Sequence, residues 1–356
     1  MKHMFIPGPV DVAPEVMLAQ TNPMIPHRSE EFDEFFRRTE EKLKQVFMTS
    51  TRVFQQPCSG SGMQEAGIRN LVQRDVLSCI NGAFSERWYQ VALSNGKRAD
   101  RLDAVWGEEI NPERLADALQ AKTYEAVTIV HNETSTGVES PIKELAEVVH
   151  TVSPETLILI DAVSSLGGVK IETDAWGFDF VLTSSQKCLA LPPGLAFAAV
   201  SDRALAKAKT VENRGWYFDL VSMEKHRIKN STSMTPPISL IWALDVQLDK
   251  ILAEGLEERF ARHQAMAERV QAWVLEHNME PLATEGYRSR TVSTIKNLQN
   301  LDIAALNNFL MDRGMRIANG YGDLKNKTFR IAHMGETRMH HIDELLNAIQ
   351  EYLETA

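Results

Sequence analysis

Three short stretches of this chain hold residue types that could do chemistry together. CSGSGMQEAG, residues 58–67, runs glycines and hydroxyls directly into an apolar-periodic stretch. Backbone N–H groups at a helix N-terminus, with the Ser61 hydroxyl, make a cradle for a phosphate. An ordinary loop with a good N-cap reads the same way. No Gly-Lys-Ser/Thr follows, so it is not a Walker-type loop, and it is not a GxGxxG dinucleotide fingerprint. Gly60 and Gly62 flank Ser61 directly, which also excludes a G-x-S-x-G nucleophile elbow. The second residue is Asp161, which closes the apolar run TLILI. A carboxylate at the C-terminal edge of a buried parallel strand faces the crevice where open α/β sheets bind ligands. Its plainer reading is a turn or cap. The third is Lys187, in FDFVLTSSQKCLALPPG, an apolar and proline-rich setting in which an ammonium is costly. Such a lysine has a lowered pKa and serves as an amine nucleophile. Alone, it also reads as a solvated loop lysine.

Taken together, the three are the parts that a pyridoxal 5'-phosphate site needs. The lysine forms the Schiff base, the carboxylate keeps the pyridine nitrogen protonated, and the cradle anchors the phosphate. The interval from Asp161 to Lys187 has the length of one further strand with its connections.

These residues need elements to position them. DVLSCI, AVTIV, TLILI, FDFVLTS and LAFAAV are short strand-like runs, separated by helical patterns between about residues 60 and 200. The last four are apolar almost throughout, as expected of strands buried on both faces in a parallel sheet. The fold class is therefore α/β with one large sheet. After Ser239 come two long amphipathic patterns split at Glu254–Gly255, then TVSTIKN, a helix from Asp302 to Gly314, TFRIAHM, and a last helix from about Thr337. This is a smaller α+β unit. The boundary falls at 240–256, drawn at 245/246, with the helix after Pro237 as the bridge.

Length and composition fit that reading. The chain has 356 residues, 44% hydrophobic and 24% charged, a profile of two well-packed globular domains. The net charge of -10 argues against nucleic acid or an anionic membrane as partner, since both require a basic face. Three scattered cysteines, with no CxxC, support neither zinc nor a disulfide framework. No apolar run reaches the ~20 residues of a membrane span, and no signal peptide, lipidation box or peroxisomal tripeptide is visible. A cytoplasmic protein with reduced thiols is expected.

The chain resembles a class V aminotransferase of the alanine–glyoxylate / serine–pyruvate (serine–glyoxylate) type. The resemblance runs nearly end to end: PGPV (7–10), HRSEEF (27–32), SGSG (59–62), Asn81–Gly82, HNETSTGV (131–138), DAVSSLGG (161–168) and SQKCLALPPGLAF (185–197). MTPPISL (234–240), EGLEERFARH (254–263) and FRIAHMG (329–335) carry it through the second half. It implies pyridoxal-phosphate fold type I, with a large, mainly parallel, seven-stranded-type sheet domain (1–245) and a small C-terminal α+β domain (246–356). Residues 1–15 would lie near the active site. It further implies transamination between a small L-amino acid, serine or alanine, and glyoxylate or pyruvate, ping-pong through a Lys187 Schiff base.

Residue by residue, the resemblance gives Lys187 and Asp161 the catalytic roles. Ser61, Gly62, the Met63 backbone N–H and Gln186 would hold the phosphate, with Thr235 reaching it from the partner subunit of a homodimer. Phe84 would stack on the ring, flanked by Thr134 and Val163. Arg330 would fork onto the substrate carboxylate, with Gly8 beside it. Some relatives have His at the Met63 position and a tyrosine near Thr232 or Met234, which puts one phosphate contact in doubt. Aspartate, ureidoglycine or aminophosphonate enzymes are the alternatives, and Arg28, Arg214 and Arg288 are the candidates for reading a second acidic group. A cysteine desulfurase is disfavoured, because no cysteine follows Cys188 and Gln186 rather than His precedes Lys187. The pair His340–His341 reads as solvated or capping, and His131 and His333 either as lining the site or as packing beside it.

Overall fold

A computed structural model describes residues 3–355. Its centre is a seven-stranded sheet, ordered Arg52–Gln56, Ala196–Val200, Phe180–Ser184, Leu157–Asp161, Ala126–Val130, Asp75–Ile80 and Arg98–Asp103. Only Ala196–Val200 runs against its two neighbours, and the remaining pairings are parallel. The near-continuous apolar runs are explained by two cores, one on each face. Val127, Ile129, Ile158, Ile160 and Val181 pack on one side with helices Glu30–Phe47, Pro112–Ala121, Ile142–Val152 and Ile238–Glu254. Alternating with them, Ala126, Val130, Leu157, Leu159 and Leu182 pack on the other with helices Gly60–Leu71, Ala83–Ser94 and Asp202–Ala208. Covering both faces removes the polar alternation of a one-sided sheet.

Three strands carry little sequence signal. Arg98–Asp103, which the sequence leaves unmarked, is an edge strand with mostly solvated side chains, RADRLD. Charge of that kind protects an edge from pairing with other chains and hides the strand from a hydrophobicity reading. Arg52–Gln56 and Met315–Asn319 are short and mixed in polarity.

Helix Ile238–Glu254 buries Leu244, Leu248 and Ile251 in the large sheet's core. At Gly255 the backbone turns with φ 84° and helix Leu256–Glu276 begins. That helix gives Met266, Val270 and Trp273 to a separate core, shared with helices Ile303–Asp312 and Met339–Thr355. Asp302 caps the middle one, accepting from the Ala304 and Ala305 amides as its position before an apolar run predicts. This second core covers a four-stranded sheet ordered His3–Phe5, Met315–Asn319, Thr328–Ala332 and Val292–Lys296. The N-terminal strand thus pairs, in parallel, with a strand near the other end of the chain. Residues 6–10 then run from the small sheet toward Lys187, with the Val10 amide donating to the Gln186 carbonyl at 3.2 Å.

Candidate active site

The C-terminal ends of the parallel strands meet at a cavity of about 240 Å³. Asp161 ends its strand there with 5% of its surface exposed. Gln64 Nε2 donates to its Oδ2 at 2.7 Å and the Val163 amide to its Oδ1 at 2.8 Å. Burial nevertheless pushes the carboxyl up to about 6, against the pull of those two donors. Lys187 follows the next strand, and its Nζ donates to the Pro7 carbonyl. Burial, and then the positive charge of Arg330, bring its ammonium down to about 8.

Helix Gly60–Leu71 points its N-terminus at the same space. Ser59, at the N-cap, makes no side-chain capping bond. The Gly62 and Met63 amides both donate to the Ser59 carbonyl, at 2.9 and 3.4 Å. The Gly60 and Ser61 amides have no partner among the described residues. Ser184 Oγ, fully buried, lines the cavity and is also without a partner. Free amides at a helix start and an orphaned hydroxyl are donors for an anion. With Asp161 and Lys187 across from them, the donor set fits a phosphorylated pyridine aldehyde.

Phe84 reaches the cavity because of how its helix begins. Glu133, fully buried, accepts from the Phe84 amide at 3.1 Å, the Ser85 amide and hydroxyl at 2.9 Å each, and the Ser135 hydroxyl at 2.7 Å. A carboxylate is well placed there, since a helix N-terminus favours negative charge. Gly82 permits this approach: a Cβ there would lie 2.4 Å from Glu133 Cγ. Arg330 comes from the small sheet. Its Nε donates to the Asn319 carbonyl at 3.0 Å and its Nη1 to the Thr134 carbonyl at 3.3 Å. It pairs with no carboxylate among the described residues, and burial lowers its guanidinium to about 10. Such a group is ready to receive an anion.

Of the residues singled out from sequence, Ser61, Phe84, Thr134, Asp161, Val163, Gln186 and Lys187 line the cavity. Gly8 lies against the lysine: its φ is 96° and a Cβ would stand 2.6 Å from Lys187 Cδ. The Met63 side chain is in the core, leaving only its backbone near the cradle. Thr235 is exposed and does not line this chain's own cavity. None of the three candidate second arginines lines it either. Arg28 donates to Ser231 Oγ and the Thr232 carbonyl, Arg214 pairs with Asp219, and Arg288 borders a separate small cavity. His131 and His333 are buried, bonded to Ser165 and Ser293, and held down by burial to about 4 and about 3. The His340 and His341 rings lie 4.0 Å apart, tilted by 59°, and His341 Nδ1 accepts from the Arg338 amide at 3.1 Å; among the described residues no cluster could hold a metal ion.

Sequence reasoning missed Gln64, Arg87, Glu133, Ser184 and Tyr321. For two of them a signal existed. Gln64 lies three residues beyond Ser61 and Arg87 three beyond Phe84, the spacing that puts side chains on one helix face.

A doubly covered parallel sheet with a carboxylate and a lysine at its strand ends, a bare helix N-terminus between them and a small sheet supplying an arginine define a pyridoxal-phosphate enzyme of fold type I. Comparison with known proteins takes this further. The family model for aminotransferase class-V matches residues 16–324, and the chain belongs to that family. It is 34% identical to the L-aspartate–glyoxylate aminotransferase of Paracoccus denitrificans, over 93% of this chain and 86% of that protein. It is 32% identical to the serine–glyoxylate aminotransferase of Methylorubrum extorquens, over 94% and 86%. The crystal structure of an alanine–glyoxylate aminotransferase from Nostoc sp. superposes with a TM-score of 0.93 at 29% identity, covering 99% and 95% of the two chains. The protein is thus an aminotransferase whose cofactor is pyridoxal phosphate, acting on amino acids and oxo acids.

Proposed function

We propose that the enzyme moves the amino group of serine or alanine to glyoxylate or pyruvate. One observation carries the reading: Asp161 and Lys187 face a single cavity of about 240 Å³, and beside it the Arg330 guanidinium meets no carboxylate among the described residues. The serine–glyoxylate and alanine–glyoxylate relatives support the pairing, and the aspartate–glyoxylate relative names the competing donor.

The bound cofactor supplies an electron-withdrawing ring that stabilises the electron pair left when the substrate's α-carbon loses its proton. The chain's residues do the rest. Lys187 would hold the cofactor's aldehyde carbon, and once freed its Nζ would take the α-proton and return one. An amine lowered to about 8 exchanges protons readily near neutral pH. Asp161, fixed by Gln64 and the Val163 amide, would face the pyridine nitrogen and keep its proton in place. Phe84 would present a flat apolar face to the ring. Arg330 Nη2, which has no partner among the described residues, would join Nη1 in a fork onto the α-carboxylate and orient the α-hydrogen toward Lys187.

A desulfurase reading is disfavoured chemically. Cys188 adjoins Lys187, but burial pushes its thiol up to about 12, leaving no thiolate to act. We also assign the junction of the two units to Gly255 instead of 245/246, because helix Ile238–Glu254 runs across 245/246 and packs in the large core, the working form to a homodimer and its location to the cytoplasm. Exposed Met17, Leu18, Met24, Trp216 and Ile228 supply apolar surface for a second copy, and Thr235 would contact that copy's phosphate site. Light scattering reading a monomer would remove the dimer. For the reaction itself, single amino acids are added to the yellow protein and the visible band followed. Serine or alanine should bleach it. Bleaching by aspartate alone would move the donor to the dicarboxylates, and no response to serine, alanine, glycine or aspartate would overturn the proposal.

A further inference from the structure

A phosphate monoester brings about −1.5 to −2 charges into the cavity. The cradle answers with two neutral amides and the hydroxyls of Ser61 and Ser184. Among the described residues, Lys187 and Arg87 are the only basic side chains lining the cavity, and Lys187 would be committed to the cofactor's aldehyde. Arg87 has no assigned role.

Its placement is specific. The guanidinium lies over the Phe84 ring, 4.8 Å from the centroid. Nη1 stands 3.4 Å from Ser61 Oγ, and Nη2 donates to the Tyr321 hydroxyl at 2.9 Å. No carboxylate among the described residues pairs with it. The first contact is long for a hydrogen bond, and an anion seated on the cradle can accept from both partners. Tyr321, from the small unit, also stacks on Phe84 with ring centroids 5.0 Å apart, and lies 5.6 Å from Arg330 Cζ.

We propose that Arg87 binds the cofactor's phosphate together with Ser61, and that the Tyr321 hydroxyl aims it. The inference rests on pyridoxal phosphate occupying this cavity. One tyrosine then touches both the arginine that holds the phosphate and the arginine that receives the substrate, so a filled phosphate site helps seat the small unit.

The test is equilibrium titration of cofactor-free protein, by absorbance, with pyridoxal phosphate and with pyridoxal, which lacks the phosphate. Inorganic phosphate serves as a competitor for the first. Arg87→Gln should weaken pyridoxal phosphate roughly ten- to a hundredfold, the usual range for a lost charge-assisted contact. Pyridoxal binding should not change, and competition by inorganic phosphate should fade. Arg87→Lys should recover part of the loss, and Tyr321→Phe, which keeps the ring stack, should lose less than Arg87→Gln. Equal effects on the two ligands, or none, would overturn the assignment. So would a raised KM for the amino donor with cofactor affinity intact, which would make Arg87 a substrate reader. A wild-type protein that takes up neither ligand would overturn the cofactor reading beneath it.

Discussion

Replacing Asp161 with asparagine should abolish transamination and, in the cofactor-free protein, raise stability. Burial holds the carboxyl at about 6 against an ordinary 3.8. Between those values the folded chain keeps a proton that the unfolded chain has lost, so stability falls as pH rises through the window. Two units at 1.36 kcal/mol each amount to about 3 kcal/mol, fully lost above pH 7. Asparagine fits the site. Its Oδ1 can still accept from the Val163 amide. Gln64 Oε1 has no partner among the described residues, so turning that amide over lets it accept from the new Nδ2. Buried His131 and His333 act in the opposite direction below pH 6.5, because their depressed pKa values make stability rise with pH. The difference between the two proteins therefore isolates Asp161. In urea unfolding of the cofactor-free forms, the curves should coincide near pH 3.5 and separate by up to about 3 kcal/mol by pH 7.5. Bound cofactor should narrow or reverse the gap, since a protonated pyridine nitrogen repays the buried charge. Parallel curves at every pH would refute the reasoning.

Arg330→Ala should raise the KM for the amino donor about ten- to a hundredfold with cofactor absorbance retained, as steady-state kinetics would read. Loss of the absorbance instead would make this arginine structural. Gly8→Ala places a methyl group on Lys187 and enforces a strained φ, so borohydride should trap far less covalent adduct than in wild type. Normal trapping would mean that the strap from residue 6 to 10 moves freely. Glu133→Gln turns an NH₂ toward hydrogen-bond donors and should cost about 1–3 kcal/mol in urea unfolding, and it should also blunt the near-ultraviolet signal of Phe84 and Trp88.

Much of the site was legible because its parts sit where the local pattern changes. Asp161 and Lys187 end apolar runs, and the glycines before Met63 interrupt a helical period. Runs such as TLILI could be read because burial on both faces leaves them wholly apolar. Arg98–Asp103 could not, since its solvated edge position makes its composition that of a loop. Glu133 was hidden for a different reason. Its function is to meet donors from a helix some fifty residues earlier in the chain, and no local period records such a contact. Tyr321 and Arg87 are likewise a pair only after the two units meet. Gln64 and Arg87 were within reach, one helical turn beyond residues already chosen.

The pairing of His3–Phe5 with Met315–Ile317 sets an order of assembly. During synthesis strand His3–Phe5 is made before its partner and waits while the seven strands of the large sheet are made. Those strands can close on one another early, carrying Asp161, the cradle and Lys187 with them. The small sheet is completed only when nearly the whole chain is available, and residues 6–10 are then drawn over the lysine. Residues 3–10 are made some three hundred residues before the strand they pair with, and are among the last to find their place. A bulky group joined just before His3 therefore burdens that closing step.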